Sequence, residues 1–422
     1  MLDISGCKET ICNSARPVFQ GRIDIVSGVI VEATGVPAAM GEMCRIDRGE
    51  RGSIDAEVVG FRGTSTLLMP HGDLEGIAPQ QVVTALHRPF SIPVGDELLG
   101  RIIDGFGKPL DGKPTIKHYE SQSVRRPAPE ALDRPPIIEP LQTGVRSIDA
   151  MNTLGRGQRL GIFAGSGVGK STLLGQITRG TDADIVIVCL VGERGREVRA
   201  FVDDVLDDEG RKKAIFVVAT SDRTPIERYL APFVAMTVAE HFRDQGKNVL
   251  LVMDSVTRFA AACREIGLAA GEPPTVRGYP PSFFATVPKL VERMGRTQRG
   301  SITGLLTILL DGDDPNEPVA DTLRGLLDGH VYLSRDLAQS GHYPAVDVLS
   351  SLSRLMPMLA SKEHIACATR LREMLAAWRD GKDLVEIGAY APGTNPKLDS
   401  AIMHMPILDA FLQQGSEESS PY

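Results

Sequence analysis

A glycine-rich segment that ends in a lysine and a serine carries the strongest chemical signal in the sequence. Residues 164–171 read Ala-Gly-Ser-Gly-Val-Gly-Lys-Ser. Glycines allow consecutive backbone N–H groups to surround a phosphate at the start of a helix, the lysine reaches the β- and γ-phosphates, and the serine hydroxyl coordinates Mg²⁺. We therefore predict a phosphate-binding loop with these binding residues: Gly165, Ser166, Gly167, Val168, Gly169, Lys170, Ser171 and Thr172.

Two acidic residues follow apolar runs that are typical of buried strands. Asp254 comes directly after the run 249–253, and Glu193 comes two residues after the run 185–191. Ligands of open parallel sheets bind beyond the carboxyl ends of the strands, so both acids are expected near the loop. Asp254 could hold the water shell of Mg²⁺, a carboxylate such as Glu193 could orient an attacking water, and Arg194 could hold phosphate oxygens. The spacing does not say which acid of this charged cluster acts as the base, and by itself the cluster could be a solvated loop.

The elements around these residues predict an α/β fold with a parallel sheet. Near-continuous apolar runs joined by helical segments are what a sheet covered on both faces requires. Short β-like pieces separated by glycine precede them and favour a small antiparallel barrel, while two amphipathic segments and a polar tail follow. We predict three domains: an N-terminal β-barrel domain (1–92), an α/β nucleotide-binding domain (93–357) and a C-terminal α-helical domain (358–422).

The composition narrows the class of protein. A chain of 422 residues exceeds one hydrophobic core. Its net charge of −8 argues against a protein that coats nucleic acid. No apolar run approaches the length of a membrane span, and Asp3 stands where a signal peptide carries Lys or Arg, so we expect a cytoplasmic protein. The six cysteines form no CxxC pair and favour neither a zinc site nor a disulfide framework.

A further segment adds a resemblance to a known family. Residues 344–353 fit the ten-residue signature of the rotary ATP synthase α/β superfamily, and the phosphate loop, Glu193 and Asp254 occur in that family's order. The segments 254–259, 277–282 and 311–314 resemble the ATPases of type III export systems, flagellar or injectisome. The resemblance covers nearly the whole chain and implies a β-barrel, a RecA-like core and a C-terminal helical domain.

The resemblance also implies roles at the matching positions. Lys170 would contact the β- and γ-phosphates of ATP, Ser171 and Asp254 would bind Mg²⁺, Glu193 would be the general base, Arg194 would contact the γ-phosphate, and Arg258 would support Glu193 and Asp254. Tyr343 and Tyr390 would sandwich the adenine. Arg354 would be an arginine finger that completes the site of a neighbouring subunit.

The partners implied are those of an export motor. We expect a homo-hexameric ring that meets a regulator or stator protein, a central stalk, and export chaperones with their substrates, peripheral to the membrane export gate. Only about fifteen residues precede Arg16, so docking of a regulator through the N-terminus stays open. Residues 387–396 resemble the flagellar form and residues 221–228 the injectisome form, and we favour the flagellar assignment. Arg372 and Arg379, in the predicted C-terminal helices, are expected on a face that meets such partners.

Three other functions share part of this sequence pattern. A catalytic subunit of a rotary synthase shares every catalytic residue, whereas a non-catalytic nucleotide-binding subunit would lack Glu193. A ring-shaped RNA translocase would need a basic groove with stacking aromatics, yet the sequence has no lysine between Lys8 and Lys108, so we expect no nucleic-acid partner. The unusually apolar run 304–310 departs from the family's pattern, and we expect it to lie away from the catalytic residues.

Overall fold

The computed structural model describes residues 20–117, 119–205, 210–310, 312, 314 and 317–422. The chain divides into two compact units. The first contains the residues up to Ser91 together with 224–226 and 265–273, and the second contains the remainder. The segment before Arg16, on which regulator docking depends, lies outside the described residues, as do Cys7 and Cys12.

Six strands of the first unit form a closed antiparallel barrel. Side chains alternate between the interior and the surface, as the two-residue period of a strand requires, so that Ile23, Val31, Ile46 and Leu68 fill the interior. The neighbour order is β1-β2-β5-β4-β3-β6, which confirms the predicted barrel. The strands are β1 (Gln20–Ser27), β2 (Ile30–Thr34), β3 (Glu42–Asp47), β4 (Ser53–Arg62), β5 (Ser65–Pro70) and β6 (Val82–Pro89).

A nine-stranded sheet forms the centre of the second unit. Its path is β19-β18-β12-β17-β15-β13-β14-β8, with β16 paired to β17; β16 and β19 are antiparallel to their neighbours and the rest are parallel. The strands are β8 (Ile102–Asp104), β12 (Arg159–Ala164), β13 (Ile185–Val191), β14 (Ala214–Ala219), β15 (Asn248–Asp254), β16 (Gly295–Arg296), β17 (Ser301–Leu309), β18 (Gly329–Leu333) and β19 (Val346–Ser353). Two-stranded pairs are formed by β7 (Ser91–Val94) with β9 (Glu120–Ser123) and by β10 (Pro140–Leu141) with β11 (Leu154–Gly155).

The central strands are apolar on both faces because helices cover both faces of the sheet. Every residue of β13 and β14 is buried, and both strands are rich in Val and Ile. This confirms the predicted α/β core. The helices are α1 (Arg146–Asp149), α2 (Lys170–Gly180), α3 (Gly195–Val205), α4 (Gly210–Lys213), α5 (Pro225–Asp244), α6 (Val256–Ala269), α7 (Pro281–Val291), α8 (Pro318–Leu326), α9 (Arg335–Gln339), α10 (Met356–Leu359), α11 (Lys362–Glu386) and α12 (Pro396–Leu412).

A buried ion pair lies in this core beside Val124, which precedes a segment with five prolines (residues 127–140). Two guanidinium nitrogens of Arg293 each lie 2.8 Å from a carboxylate oxygen of Glu240, and both side chains are almost completely buried. The third nitrogen of Arg293 donates to the Val124 carbonyl at 2.8 Å. Within the proline-rich segment, Arg134 donates to the carbonyls of Met294 at 3.1 Å and Glu292 at 2.6 Å, so the segment is bonded to the core.

Helices α11 and α12 form the C-terminal hairpin. The Ser361 hydroxyl accepts from the His364 amide at 3.2 Å and caps α11, while the Asn395 side chain accepts from the first amides of α12. Arg372 of α11 donates to the Met151 carbonyl and, at 3.3 Å, to the Asn152 side chain, and burial lowers the pKa of its guanidinium. Arg372 thus contacts the core. Within the ranges given above, no helix is long and apolar enough to cross a bilayer.

Candidate active site

The phosphate-binding loop connects β12 to α2. Residues 165–169 leave the end of β12, and α2 begins at Lys170. Gly167 and Gly169 have φ values of 79° and 89°, a left-handed conformation that residues with a Cβ rarely adopt. Val168 is buried and anchors the loop, whereas Ser166, Ser171 and Thr172 are exposed. The predicted loop is therefore present at the carboxyl edge of the sheet.

Lys170, Glu193 and Asp254 meet at this edge. The Lys170 ammonium pairs with the Asp254 carboxylate, and its Nζ lies 3.6 Å from Glu193 Oε1. All three side chains are largely buried. They meet because β13 and β15 are adjacent and parallel, with Leu190 in register with Asp254, so both strands deliver their acids to the same edge. One cation thus lies between two carboxylates.

Thr307 is a member of this cluster that the sequence did not predict. Its hydroxyl donates to Asp254 Oδ1 at 2.7 Å, and the residue is fully buried. Strand β17 pairs with β15, with Leu306 beside Met253, which places Thr307 next to Asp254. The expectation that the run 304–310 lies away from the catalytic residues is wrong for this residue. A single hydroxyl in the otherwise apolar run 304–310 was the signal available.

The electrostatic environment of Glu193 suits a proton acceptor. Burial raises the pKa of its carboxyl, the Lys170 ammonium opposes this by lowering it, and the charge of Asp254 raises it further; the net direction is upward. Backbone bonds fix the loop that carries it, because Ser221 donates to the Glu193 carbonyl at 3.0 Å and Gly192 donates to the Ala219 carbonyl at 2.7 Å. A raised pKa brings a carboxylate closer to the value at which proton transfer near neutral pH is efficient.

The two arginines predicted for this edge are placed differently. The Arg194 side chain is 78% exposed, and its guanidinium lies 3.3 Å from the Glu197 carboxylate. Arg258, at the start of α6, packs against Gly192, where a Cβ would lie 2.8 Å from that of Arg258. Its charge lowers the pKa of Glu193, so the structure brings Arg258 close to the base.

The two tyrosines predicted to enclose a base lie far apart. Tyr343 is half exposed, and its ring lies 3.2 Å from the position that a Cβ on Gly169 would occupy. Tyr390 lies in the loop before α12, where its hydroxyl donates to Asp399 at 2.9 Å. Because α12 has 17 residues and an α-helix rises 1.5 Å per residue, it spans about 25 Å. The backbone of Tyr343 contacts Gln414, which follows the opposite end of α12. The structure therefore brings Tyr343, but not Tyr390, to the phosphate loop.

Arg354 lies at the other edge of the sheet. It follows β19, is exposed, and donates from its backbone to the Asp328 carbonyl at 3.0 Å. Its neighbour Ser353 is in register with Gly329 and hence with Leu160, near the start of β12. The phosphate loop follows the end of β12. Four to five residues of extended chain, about 15 Å, separate the level of Leu160 from the start of the phosphate loop. An arginine side chain does not span that distance, so the structure does not bring Arg354 to the phosphate loop of its own chain.

This arrangement of loop, lysine and strand-end carboxylates on a RecA-like sheet defines a P-loop nucleoside triphosphatase. Residues 144–353 match the model of the ATP synthase alpha/beta family, nucleotide-binding domain, and residues 360–422 match that of the T3SS EscN ATPase C-terminal domain. A flagellum-specific ATP synthase from Bacillus subtilis is 50% identical over 400 residues, covering 94% of this chain and 91% of the relative. An SPI-2 type 3 secretion system ATPase from Salmonella typhimurium is 49% identical over 402 residues, covering 94% and 91%.

Solved structures give the same result. The assembled ATPase EscN from the type III secretion system of enteropathogenic E. coli superimposes with a TM-score of 0.91 at 43% identity, covering 95% of this chain and 97% of that one. EscN in complex with its central stalk EscO gives a TM-score of 0.88. The chain therefore belongs to the family of flagellum-specific and type III secretion ATPases. It is an ATP-binding enzyme of type III protein export, which confirms the predicted family and activity.

Proposed function

We propose that the chain hydrolyses Mg-ATP at the carboxyl edge of the sheet, with Glu193 as the general base. The observation that carries this proposal is the buried Glu193 carboxylate 3.6 Å from Lys170 Nζ. The lysine marks the place of the β- and γ-phosphates, so a carboxylate at this distance lies within reach of a water beside the γ-phosphate. Glu193 takes the proton of that water; burial raises the pKa of its carboxyl, and the charges of Lys170 and Arg258 oppose that rise.

The residues at this edge suit Mg²⁺. Hydroxyl and carboxylate oxygens are the ligands that Mg²⁺ prefers, and it commonly binds through one or two of them together with substrate phosphates. Ser171 and Asp254 supply such oxygens, and Thr307 holds the Asp254 carboxylate in place. In the described part of the chain no cluster of three acidic, His or Cys residues could hold a metal alone, which fits binding shared with phosphates. Bound Mg²⁺ would neutralise charge that develops on the phosphates.

We assign the adenine to Tyr343. Its half-exposed ring lies against the phosphate loop, and aromatic rings stack on the faces of bases. Tyr390 is left out of this assignment because about 25 Å of helix separates it from Gln414. The exposed Arg194 pairs with Glu197, so its guanidinium would have to leave Glu197 before it could contact the γ-phosphate.

A homo-hexameric ring is proposed for the active form. Arg354 lies at the edge of the sheet away from the phosphate loop of its own chain, where it can serve a nucleotide bound to another subunit. The likeness to a structure described as assembled EscN supports a ring, and the complex with EscO supports a central stalk partner. The other proposed partners are a regulator, export chaperones and export substrates, at the inner face of the cytoplasmic membrane. The division into domains at residues 92 and 357 is part of this proposal.

The export system is proposed to be flagellar, with an injectisome as the alternative. The flagellar likeness of residues 387–396 supports the first, and the similar identities of the flagellar and SPI-2 relatives, 50% and 49%, favour neither strongly. Disrupting the gene in its own host separates them: loss of filaments and motility with secretion of other proteins retained supports the flagellar assignment. Normal filaments would contradict it.

The proposed base is tested by a pair of glutamates. Glu193→Gln keeps the volume of the side chain and removes the proton acceptor, so turnover should fall by roughly 10²- to 10⁴-fold while Mg-ATP affinity is retained. Glu197→Gln is the matched variant, because Glu197 lies four residues further along the chain, in α3, and is more exposed. It should lose far less activity. Equal losses in the two variants, or persistent hydrolysis in Glu193→Gln, would contradict the assignment.

A further inference from the structure

The C-terminal segment, residues 413–422, is bound to the nucleotide-binding domain and is not the free polar tail that its composition indicates. It begins where α12 ends, at a point fixed by Arg146. The Arg146 guanidinium donates to the carbonyls of Phe411 at 2.8 Å and Gln413 at 2.6 Å and also pairs with Glu418. The last carbonyls of a helix lack partners within the helix, so Arg146 caps α12 and directs the chain that follows.

Gln414 is the buried centre of this segment. Only 6% of the residue is exposed, and all of its side-chain polar atoms are bonded. Its Oε1 accepts from the Arg146 amide at 2.9 Å, and its Nε2 donates to the carbonyls of Gly144 at 2.7 Å and Glu418 at 2.8 Å. Its backbone amide donates to the Tyr343 carbonyl at 2.9 Å. Gln414 therefore links Tyr343 to the loop before α1.

The helix that follows the phosphate loop holds the same segment from the other side. Gln176 of α2 is buried, and its Nε2 donates to the carbonyls of Gly415 and Glu418, both at 3.1 Å. Arg179, one turn later, donates to the Ser416 carbonyl at 2.9 Å. The segment thus bonds both to α2, whose first residue is Lys170, and to the backbone of Tyr343.

We infer that Gln414 is a positioning residue for the nucleotide site, which holds Tyr343 against the phosphate loop and fixes the distance between the base and the phosphates. The inference rests on the proposed contact of Tyr343 with adenine. Tyr343 is half exposed, its ring lies beside the loop at Gly169, and its backbone carbonyl accepts from the Gln414 amide, so this backbone anchor helps to decide where the ring lies. Gln414 acts through Tyr343 and does not touch the phosphates.

The test separates base binding from phosphate binding. Gln414→Glu has nearly the same shape but replaces the two N–H bonds with a carboxylate oxygen that faces carbonyls. We expect the KM for ATP to rise roughly five- to tenfold, as partial loss of one stacking contact predicts, with kcat changed less than about twofold. The inhibition constant of inorganic tripolyphosphate, which has no base, should stay unchanged. Gln298→Glu, the same substitution in an exposed turn, is the matched control and should change neither constant.

A second variant tests the hydrogen bonds between α2 and the C-terminal segment. Gln176→Met removes both N–H donors of α2 at nearly constant length, and it should raise the KM for ATP in the same direction without weakening tripolyphosphate. An unchanged KM for ATP in both folded variants would overturn the inference. Equal weakening of ATP and tripolyphosphate would also overturn it, because the whole site would then be disturbed.

Tyr343→Ala distinguishes failure of the inference from failure of the proposed function. If Tyr343→Ala weakens ATP but Gln414→Glu does not, only the role of Gln414 is refuted. If Tyr343→Ala itself leaves the KM for ATP unchanged, the assignment of adenine to Tyr343 is refuted, and the role of Gln414 falls with it.

Discussion

The hydroxyl of Thr307 donates a 2.7 Å hydrogen bond to Asp254 Oδ1, the carboxylate that also pairs with Lys170. A carboxylate held by a buried donor on a neighbouring strand has one orientation available for its oxygens. The relation exists because β17 and β15 are paired and parallel. Thr307 therefore sets the geometry of a site whose charged members lie on other elements.

Removing this hydroxyl should impair the use of Mg²⁺. Thr307→Val keeps the shape of the side chain and deletes a bond to a charged group, which is typically worth about 1.5–3 kcal/mol. We expect turnover to fall by about tenfold or more and the Mg²⁺ concentration at half-maximal activity to rise. Thr307→Ser restores the hydroxyl and should recover most of the activity. If Val and Ser variants behave alike in a Mg²⁺ titration, Thr307 serves packing only.

The buried pair Arg293–Glu240 should dominate the stability of the second unit. Arg293→Met leaves the Glu240 carboxylate buried without its bidentate partner and frees the Val124 carbonyl, so we expect a loss of about 3–5 kcal/mol in unfolding free energy. The double variant Arg293→Met with Glu240→Leu should recover much of that loss. The midpoints of urea unfolding followed by circular dichroism measure both. A single variant as stable as the wild type would show that the pair is dispensable.

Two arginines of α11 should respond differently to charge reversal. Arg372 is anchored to Met151 and Asn152 of the core, so Arg372→Glu should disturb the docking of α11 and lower basal hydrolysis. Arg379 is 62% exposed and lies 3.7 Å from Asp380, so Arg379→Glu should leave basal hydrolysis near the wild-type rate. Assays of basal hydrolysis and of stimulation by a stalk protein compare them. A fall in basal hydrolysis of Arg379→Glu would show that this face serves assembly instead of a partner.

The sequence predicted those features that local pattern determines. Apolar runs marked the buried strands β13, β14 and β15, and the glycine spacing marked the loop that ends at Lys170, since both depend on neighbouring residues in the chain. Register between strands is set by tertiary pairing, so the hydroxyl of Thr307 was visible in the apolar run 304–310 but no sequence pattern indicated its bond to Asp254. The edge strand β8 is too short to give one.

Distances and contacts between elements that are far apart in the chain were the other features that could not be predicted from the sequence. The resemblance implied an adenine contact for both Tyr343 and Tyr390, yet the length of α12 keeps Tyr390 away from the phosphate loop. The segment 413–422 is polar and mostly exposed, yet it is not free, because its backbone carbonyls accept bonds from Gln176 and Arg179. Polar composition predicted the exposure of this segment but not its hydrogen bonds to α2.

We propose that each ATP site needs the phosphate loop of one subunit and Arg354 of another. Arg354→Ala should lower turnover by roughly 10³- to 10⁵-fold, and Lys170→Ala should abolish hydrolysis by removing the fixed charge at the phosphates. The most direct measurement is the ATPase rate of rings assembled from a mixture of the two inactive variants, with mixing verified by differently tagged subunits. We expect partial recovery of activity, because some interfaces join an intact loop to an intact arginine. No recovery at any ratio in verified mixed rings would contradict it.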